Sequence, residues 1–228
     1  MVITEIFRSI QGEGTRAGLP CIFVRLTGCN LRCTWCDTAY AFYGGRQITV
    51  DEACEKVREL SLPSTANGNE IQLVELTGGE PLLQPEVIPL AEKLLASGYT
   101  VMIETSGERF IGKLPREVIK IVDVKCPDSG AADTFDFANL EAFGPADEIK
   151  FVIASRGDYE FAREFTAQHS LAAKVHQVIF SPSTPDPAGK WPGLEARELT
   201  EWILADGVPV RLGLQLHKFI WDPSMHGV

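Results

Sequence analysis

Cys29-Asn30-Leu31-Arg32-Cys33-Thr34-Trp35-Cys36 places three cysteines within eight residues, with no fourth close by. A [4Fe–4S] cube has four irons, each of which needs a ligand. Three thiolates from one loop leave one iron open to something other than protein, and an open metal position separates a reactive site from a structural one. Two other readings compete. Three buried thiols would behave as small hydrophobes, but Asn30, Arg32, Thr34 and Asp37 make the neighbourhood polar. A structural zinc usually pairs two CxxC-like units, whereas Cys21, Cys54 and Cys126 are scattered singly.

Outward from this loop, short apolar runs alternate with amphipathic ones. After a first strand, seven strand candidates follow, over residues 21–26, 71–76, 99–104, 119–124, 148–153, 175–180 and 210–216. Thr49 and Glu52 form a capping box that opens a helix. Further helices are expected over 84–96, with Pro85 near its start and Gly98 past its end, and over 158–168 and 196–205. This alternation predicts an α/β fold with a largely parallel sheet, and the chain 1–228 is read as one domain. The Pro-rich stretch 181–192 is read as a surface loop, because too little chain follows it for a separate core.

The 228 residues are 45% hydrophobic and carry a net charge of −10. Such a balance gives no basic footprint for nucleic acid and points to a small-molecule substrate. No apolar run reaches the roughly 20 residues of a membrane span, and the start of the chain lacks a secretory pattern. Six cysteines without an export signal read as thiols or metal ligands in a reducing compartment, so a soluble, cytoplasmic protein is expected.

Three further segments fall where strands end, the ligand-binding edge of parallel α/β folds. In Thr77-Gly78-Gly79-Glu80-Pro81 the glycines admit close approach and Glu80 can accept from an ammonium group. Glu104-Thr105-Ser106-Gly107 offers an acid and hydroxyls. In Asp123-Val124-Lys125, Asp123 or Lys125 can meet ribose hydroxyls or a carboxylate. Each of the last two can equally be a self-satisfied turn.

The CX3CX2C spacing together with the GGE turn resembles the radical S-adenosylmethionine superfamily. That resemblance implies S-adenosylmethionine on the fourth iron and its reductive cleavage to a hydrogen-abstracting 5′-deoxyadenosyl radical. It also implies an incomplete, TIM-like β/α barrel. Trp35, with Cys36 and Asp37, matches the adenine-side position, Gly79 and Glu80 the amino-group motif, and Asp123, Val124 and Lys125 a further cofactor contact.

Ile10-Gln11-Gly12-Glu13-Gly14, Phe23-Val24-Arg25, Cys36-Asp37-Thr38 and Gln215-Leu216-His217-Lys218 together resemble the 7-carboxy-7-deazaguanine synthase family. The resemblance touches most of the chain. It implies radical ring contraction of 6-carboxy-5,6,7,8-tetrahydropterin with loss of ammonia, assisted by Mg²⁺, on the route to queuosine. Gln11, with the backbone of Ile10 and Gly12, would then read the pterin amide edge, and Arg25 would fork onto the substrate carboxylate. Thr38 matches a Mg²⁺ ligand, Thr77 a substrate contact, and His217 a substrate contact from the last strand. Some family members place a C-terminal proline carboxylate in the pocket; here Pro223 is followed by five further residues. The family also implies a homodimer and an electron donor such as flavodoxin or ferredoxin. Competing functions are a glycyl-radical activase, which would consume S-adenosylmethionine stoichiometrically, and a non-catalytic zinc-binding module, which would be colourless.

Overall fold

The computed structural model describes every residue except 64, 66, 67, 187, 188, 223 and 224. Its strands are β1 (Val2–Ile10), β2 (Pro20–Leu26), β3 (Arg46–Gln47), β4 (Leu73–Gly78), β5 (Thr100–Thr105), β6 (Ile119–Asp123), β7 (Glu148–Ile153), β8 (Gln177–Pro182) and β9 (Arg211–Leu212). They form one sheet in the order β3-β1-β2-β4-β5-β6-β7-β8-β9. β1 pairs antiparallel with β2 and β3, and from β2 to β9 every neighbour is parallel. The ends β3 and β9 do not pair, so the barrel is incomplete.

Period-2 alternation divides the sheet into two faces. One carries Val24, Leu26, Val74, Leu76, Val101, Ile103, Val122, Ile149, Phe151, Val178 and Phe180, all buried in the main core. α1 (Val50–Ser61), α2 (Val87–Ala96), α3 (Arg156–Gln168), α4 (Leu171–Lys174) and α5 (Ala196–Asp206) contribute residues such as Val57, Leu90, Tyr159, Leu171 and Leu199 to that core. Cys21, Leu73, Met102, Ile119 and Ile121, with Phe23 against them, form a separate small apolar cluster. By strand parity it belongs to the other face. Further along the same strands that parity gives Arg25, Glu75, Thr77, Glu104 and Asp123, and on β7 it gives Lys150. Apolar below and charged above, this inner face has the layering of a barrel interior.

Most elements fall within two residues of expectation, and the Thr49–Glu52 capping box forms as read, with bonds of 3.1 and 2.7 Å. Two differences have physical causes. The second long helix starts at Val87 rather than 84. Gln84 is extended because a residue before proline avoids the helical region, and its amide ties Val2 and Thr27 at 2.7–2.9 Å. The last expected strand, 210–216, shrinks to Arg211–Leu212. Leu216 N–H donates to the carbonyl of Gly12 at 2.9 Å instead of to β8. His217 therefore opens the short helix α6 (His217–Ile220) rather than ending a strand.

Phe180 is fully buried, with its ring 5.6 Å from Phe151 and 6.0 Å from Tyr159. Phe180→Ala is expected to cost about 3–5 kcal/mol. Leu204→Ala, at a 74% exposed position, is expected to stay within about 0.5 kcal/mol of the parent. Urea unfolding of both variants checks the pair.

Candidate active site

The charged layer opens into a cavity of about 450 Å³, lined by strand ends, the cysteine loop, the β1–β2 hairpin loop and the C-terminal segment. Cys29, Cys33 and Cys36 all line it, and all three are free thiols. Burial pushes the Cys29 and Cys33 thiols up, and metal binding would have to deprotonate them. Among the described residues, no three His, Cys, Asp or Glu side chains converge as around one metal ion. A cube, by contrast, spreads its thiolates over separate irons.

The GGE turn backs this loop directly. A Cβ on Gly79 would lie 2.3 Å from Gly28 O and 2.7 Å from Cys29 Cβ, so only glycine lets the two backbones approach this closely. Glu80 N–H donates to Gly28 O at 2.8 Å. The Glu80 carboxylate does not line the cavity; it accepts from Leu82 N, Thr105 Oγ1, Ser106 N and Ser106 Oγ at 2.7–3.0 Å. The acid expected to meet an amino group thus holds the Glu104–Gly107 turn in place.

At the end of β6, Lys125 Nζ is 2.8 Å from Asp123 Oδ2. Asp123 Oδ1 is buried with no hydrogen-bond partner, an orphan acceptor of the kind that calls for a ligand. Val124 is not part of the cavity lining: its side chain is fully buried in the core, and its N–H donates to Lys150 O at 2.9 Å. Trp35, Asp37 and Thr38 line the cavity. Asp37 pairs with Lys218 at 2.9 Å. Burial opposes its ionisation, but the ammonium outweighs this and holds the carboxyl at about 2.

On the other side, Arg25 and Thr77 are register partners on β2 and β4. Arg25 Nε donates to Glu5 at 2.7 Å, and Tyr40 donates to the same carboxylate oxygen at 2.8 Å. The guanidinium Nη groups make no hydrogen bond among the described residues, leaving a fork facing the cavity. Gln11 is 4% exposed and its amide is engaged at both ends: Nε2 donates to Glu75, and Oε1 accepts from Glu13 N at 3.0 Å. Ile10 and Gly12 line the cavity beside it. A Cβ on Gly12 would meet His217 Nδ1 at 2.2 Å, so His217 packs against the hairpin loop. Burial lowers the His217 pKa against the pull of Glu13. Pro223 lies outside the described residues, while Val228 lines the cavity.

Three groups to which the sequence assigned no role occupy the centre. Lys150 Nζ lies 2.8 Å from Glu13, in contact with Glu104, and 3.8 Å from Asp123. Burial opposes its charge, but Glu104 and Glu13 hold it well above the usual lysine range. Burial, with Glu104 and Glu13 nearby, pushes Glu75 well up. The available signal was a charged residue inside an apolar parallel-strand run, Val74-Glu75-Leu76 or Ile149-Lys150-Phe151. Glu13 stood inside a quoted motif without a role of its own.

Gly79→Ala is expected to destabilise the cysteine loop by roughly 1–3 kcal/mol, read as reduced iron uptake on anaerobic reconstitution. Glu75 supplies a pH signature. Its folded pKa lies above the ordinary 4.5, so its favourable contribution is complete below about 4.5 and is lost as pH rises toward the folded value, at about 1.4 kcal/mol per pH unit. Glu75→Gln is expected to become increasingly stable relative to the parent as pH rises above about 4.5 in urea titrations.

The family model for the Radical SAM superfamily matches residues 23–167. The 7-carboxy-7-deazaguanine synthase of Koribacter versatilis is 55% identical, with all of both chains covered. That of Chlorobaculum tepidum is 40% identical, over 99% of this chain and 96% of the relative. The crystal structure of QueE from Escherichia coli superposes with a TM-score of 0.73 at 24% identity, covering 95% of this chain and 94% of that one, which shows the fold. With the cysteine loop, the GGE turn and a polar cavity meeting at one sheet edge, the chain belongs to the radical SAM superfamily and, within it, to the 7-carboxy-7-deazaguanine synthase family.

Proposed function

We propose that the chain catalyses the ring contraction of 6-carboxy-5,6,7,8-tetrahydropterin to 7-carboxy-7-deazaguanine with release of ammonia, as a radical S-adenosylmethionine lyase of queuosine biosynthesis. One observation carries this reading: the three free cysteines and the Arg25–Thr77 pair line the same cavity. A cluster at one wall and a carboxylate receptor at another suit a small acidic heterocycle.

Cys29, Cys33 and Cys36 would hold a [4Fe–4S] cluster, and the donor set suits it: free thiols on a loop fixed from behind by Gly79. With S-adenosylmethionine, that cluster supplies the hydrogen-abstracting radical. Asp123 Oδ1 and Lys125 offer an acceptor and a cation for the nucleoside and methionine ends. Trp35 gives the adenine an aromatic wall, and Cys36, Asp37 and Gly79 border the same cavity. Thr38 offers a hydroxyl to Mg²⁺, which keeps waters and substrate oxygens as its other ligands.

Arg25 would take the substrate carboxylate with its Nη groups, its guanidinium held through Nε by Glu5 and with Cζ 5.7 and 5.8 Å from the rings of Phe7 and Tyr40. Thr77 and His217 border the same space. Charge on Lys150 keeps Glu13 ionised and fixes the hairpin loop over the cavity. The whole chain would act as one catalytic domain, in the cytoplasm, as a homodimer reduced by a flavodoxin- or ferredoxin-type donor. Among the described residues no helix is long and apolar enough to cross a membrane.

The test is anaerobic turnover with a reductant, S-adenosylmethionine, Mg²⁺ and carboxytetrahydropterin. Deazaguanine product with S-adenosylmethionine regenerated is expected. Stoichiometric loss of S-adenosylmethionine without product would favour a glycyl-radical activase, and zinc without iron would favour a metal-binding module. Arg25→Ala is expected to lower kcat/KM by about a hundredfold or more while cluster absorbance stays intact.

A further inference from the structure

Gln11, the side chain expected to read the pterin edge, is tied at both ends of its amide: Nε2 donates to Glu75 and Oε1 accepts from the Glu13 N–H. The acceptor it braces does face the cavity. Glu75 lies two residues before Thr77 on β4, so both side chains share the inner face. Its Oε2 takes the Gln11 bond, and its Oε1 makes no hydrogen bond among the described residues.

Four acids converge at this end of the barrel, and three are spoken for. Glu104 and Glu13 pair with Lys150, and Asp123 pairs with Lys125. Glu75 alone of the four has no ion pair among the described residues, although it is only 3% exposed. Beside it lies a flat apolar wall. Phe23 is adjacent to Glu75 in strand register, and its ring stacks on Phe7 at 5.1 Å, with both rings lining the cavity. Arg25 and Thr77 sit two residues further along the same two strands.

Resting on the function proposed above, we infer that Glu75 is the specificity-determining residue for the amino-pyrimidinone edge of the substrate. That edge carries two adjacent donors, the N3–H and the 2-amino group, and a carboxylate is their complementary acceptor pair. The heterocycle then lies against Phe7 and Phe23, with its 6-carboxylate toward Arg25. Gln11 holds the Glu75 carboxylate in place through its amide.

A proton follows from this arrangement. Facing Glu75 are Gln11 and Glu13 from the hairpin loop, Glu104 from β5, Lys150 from β7 and the Cys21 thiol from β2, the last pushed up by burial. In the empty cavity burial and the neighbouring acids raise the Glu75 pKa, which favours its protonated form. Two N–H donors favour the carboxylate instead, so substrate binding sends that proton to solvent.

The experiment compares wild type with Glu75→Gln, using cluster-loaded protein under anaerobic conditions. Titration calorimetry with carboxytetrahydropterin, in buffers of different ionisation enthalpy, counts the protons. Wild type is expected to release protons on binding substrate and the variant none. The variant's KM is expected to rise about tenfold or more, with S-adenosylmethionine affinity and cluster absorbance unchanged. The analogue with a carbonyl in place of the 2-amino group should be discriminated against by wild type and accepted equally by the variant. Unchanged KM, proton count and analogue preference in Glu75→Gln would overturn the inference. Should that variant fail to fold, wild type decides: no proton release and no preference for the 2-amino group would overturn it just as well. Wild type that neither binds nor turns over the pterin would instead remove the proposed function beneath it.

Discussion

The Lys150 ammonium is the charge on which the interior depends. It stands on β7 among Glu13, Glu104 and Asp123, nearly out of reach of water. An uncompensated charge in such a place costs several kcal/mol, so the acids and the lysine require one another. They arrive from separate parts of the chain: Glu13 from the β1–β2 hairpin loop, Glu104 from β5, Asp123 from β6. Their pairing therefore fixes where the hairpin loop lies across an incomplete barrel. The loop's remaining ties extend the same logic, since Glu148 on β7 accepts from Thr15 and Arg16, and Gln215 donates to Glu13 at 2.8 Å.

Around that centre the barrel separates two kinds of chemistry. The cysteine loop and the GGE turn meet backbone to backbone, a contact with no room for side chains and little freedom to move. The rest of the lining includes side chains with spare hydrogen-bonding capacity: the Arg25 Nη groups, Thr77 and the second oxygen of Glu75. A rigid wall suits a cofactor common to a whole superfamily, and an adjustable one suits a substrate particular to one family. Asp123 pairs with Lys125 and reaches the buried Lys150 at 3.8 Å.

Much of this was legible in the sequence, and for identifiable reasons. Strand periodicity, the Thr49–Glu52 capping box and the spacing of the three cysteines are local signals, and local signals survive reading one residue after another. The failures are non-local. The helix start moved to Val87 because Gln84 bonds a strand eighty residues upstream, and β9 shortened because Leu216 bonds Gly12. Gln11 lines the cavity as expected, but its contact with Glu75, which spans 64 positions, is one that local reading does not reach. Lys150 and Glu75 were visible as charges in apolar runs, yet their meaning rests on strand order, which spacing does not supply. The comparison with relatives bears on the family and leaves the individual side-chain roles to the geometry.

The alternation of the two sheet faces has a consequence for how this chain can change over time. On β4, Glu75 and Thr77 look inward while Val74 and Leu76 enter the helix-covered core. Inserting or deleting one residue in that strand would exchange the two sets, driving carboxylate and hydroxyl into the hydrophobic layer and leucine into the cavity. The same holds for β2, where Arg25 alternates with Val24 and Leu26, and for β7, where Lys150 alternates with Ile149 and Phe151. Length differences among descendants of this chain are thus confined to the connections, while the strands can drift only by substitution, position for position.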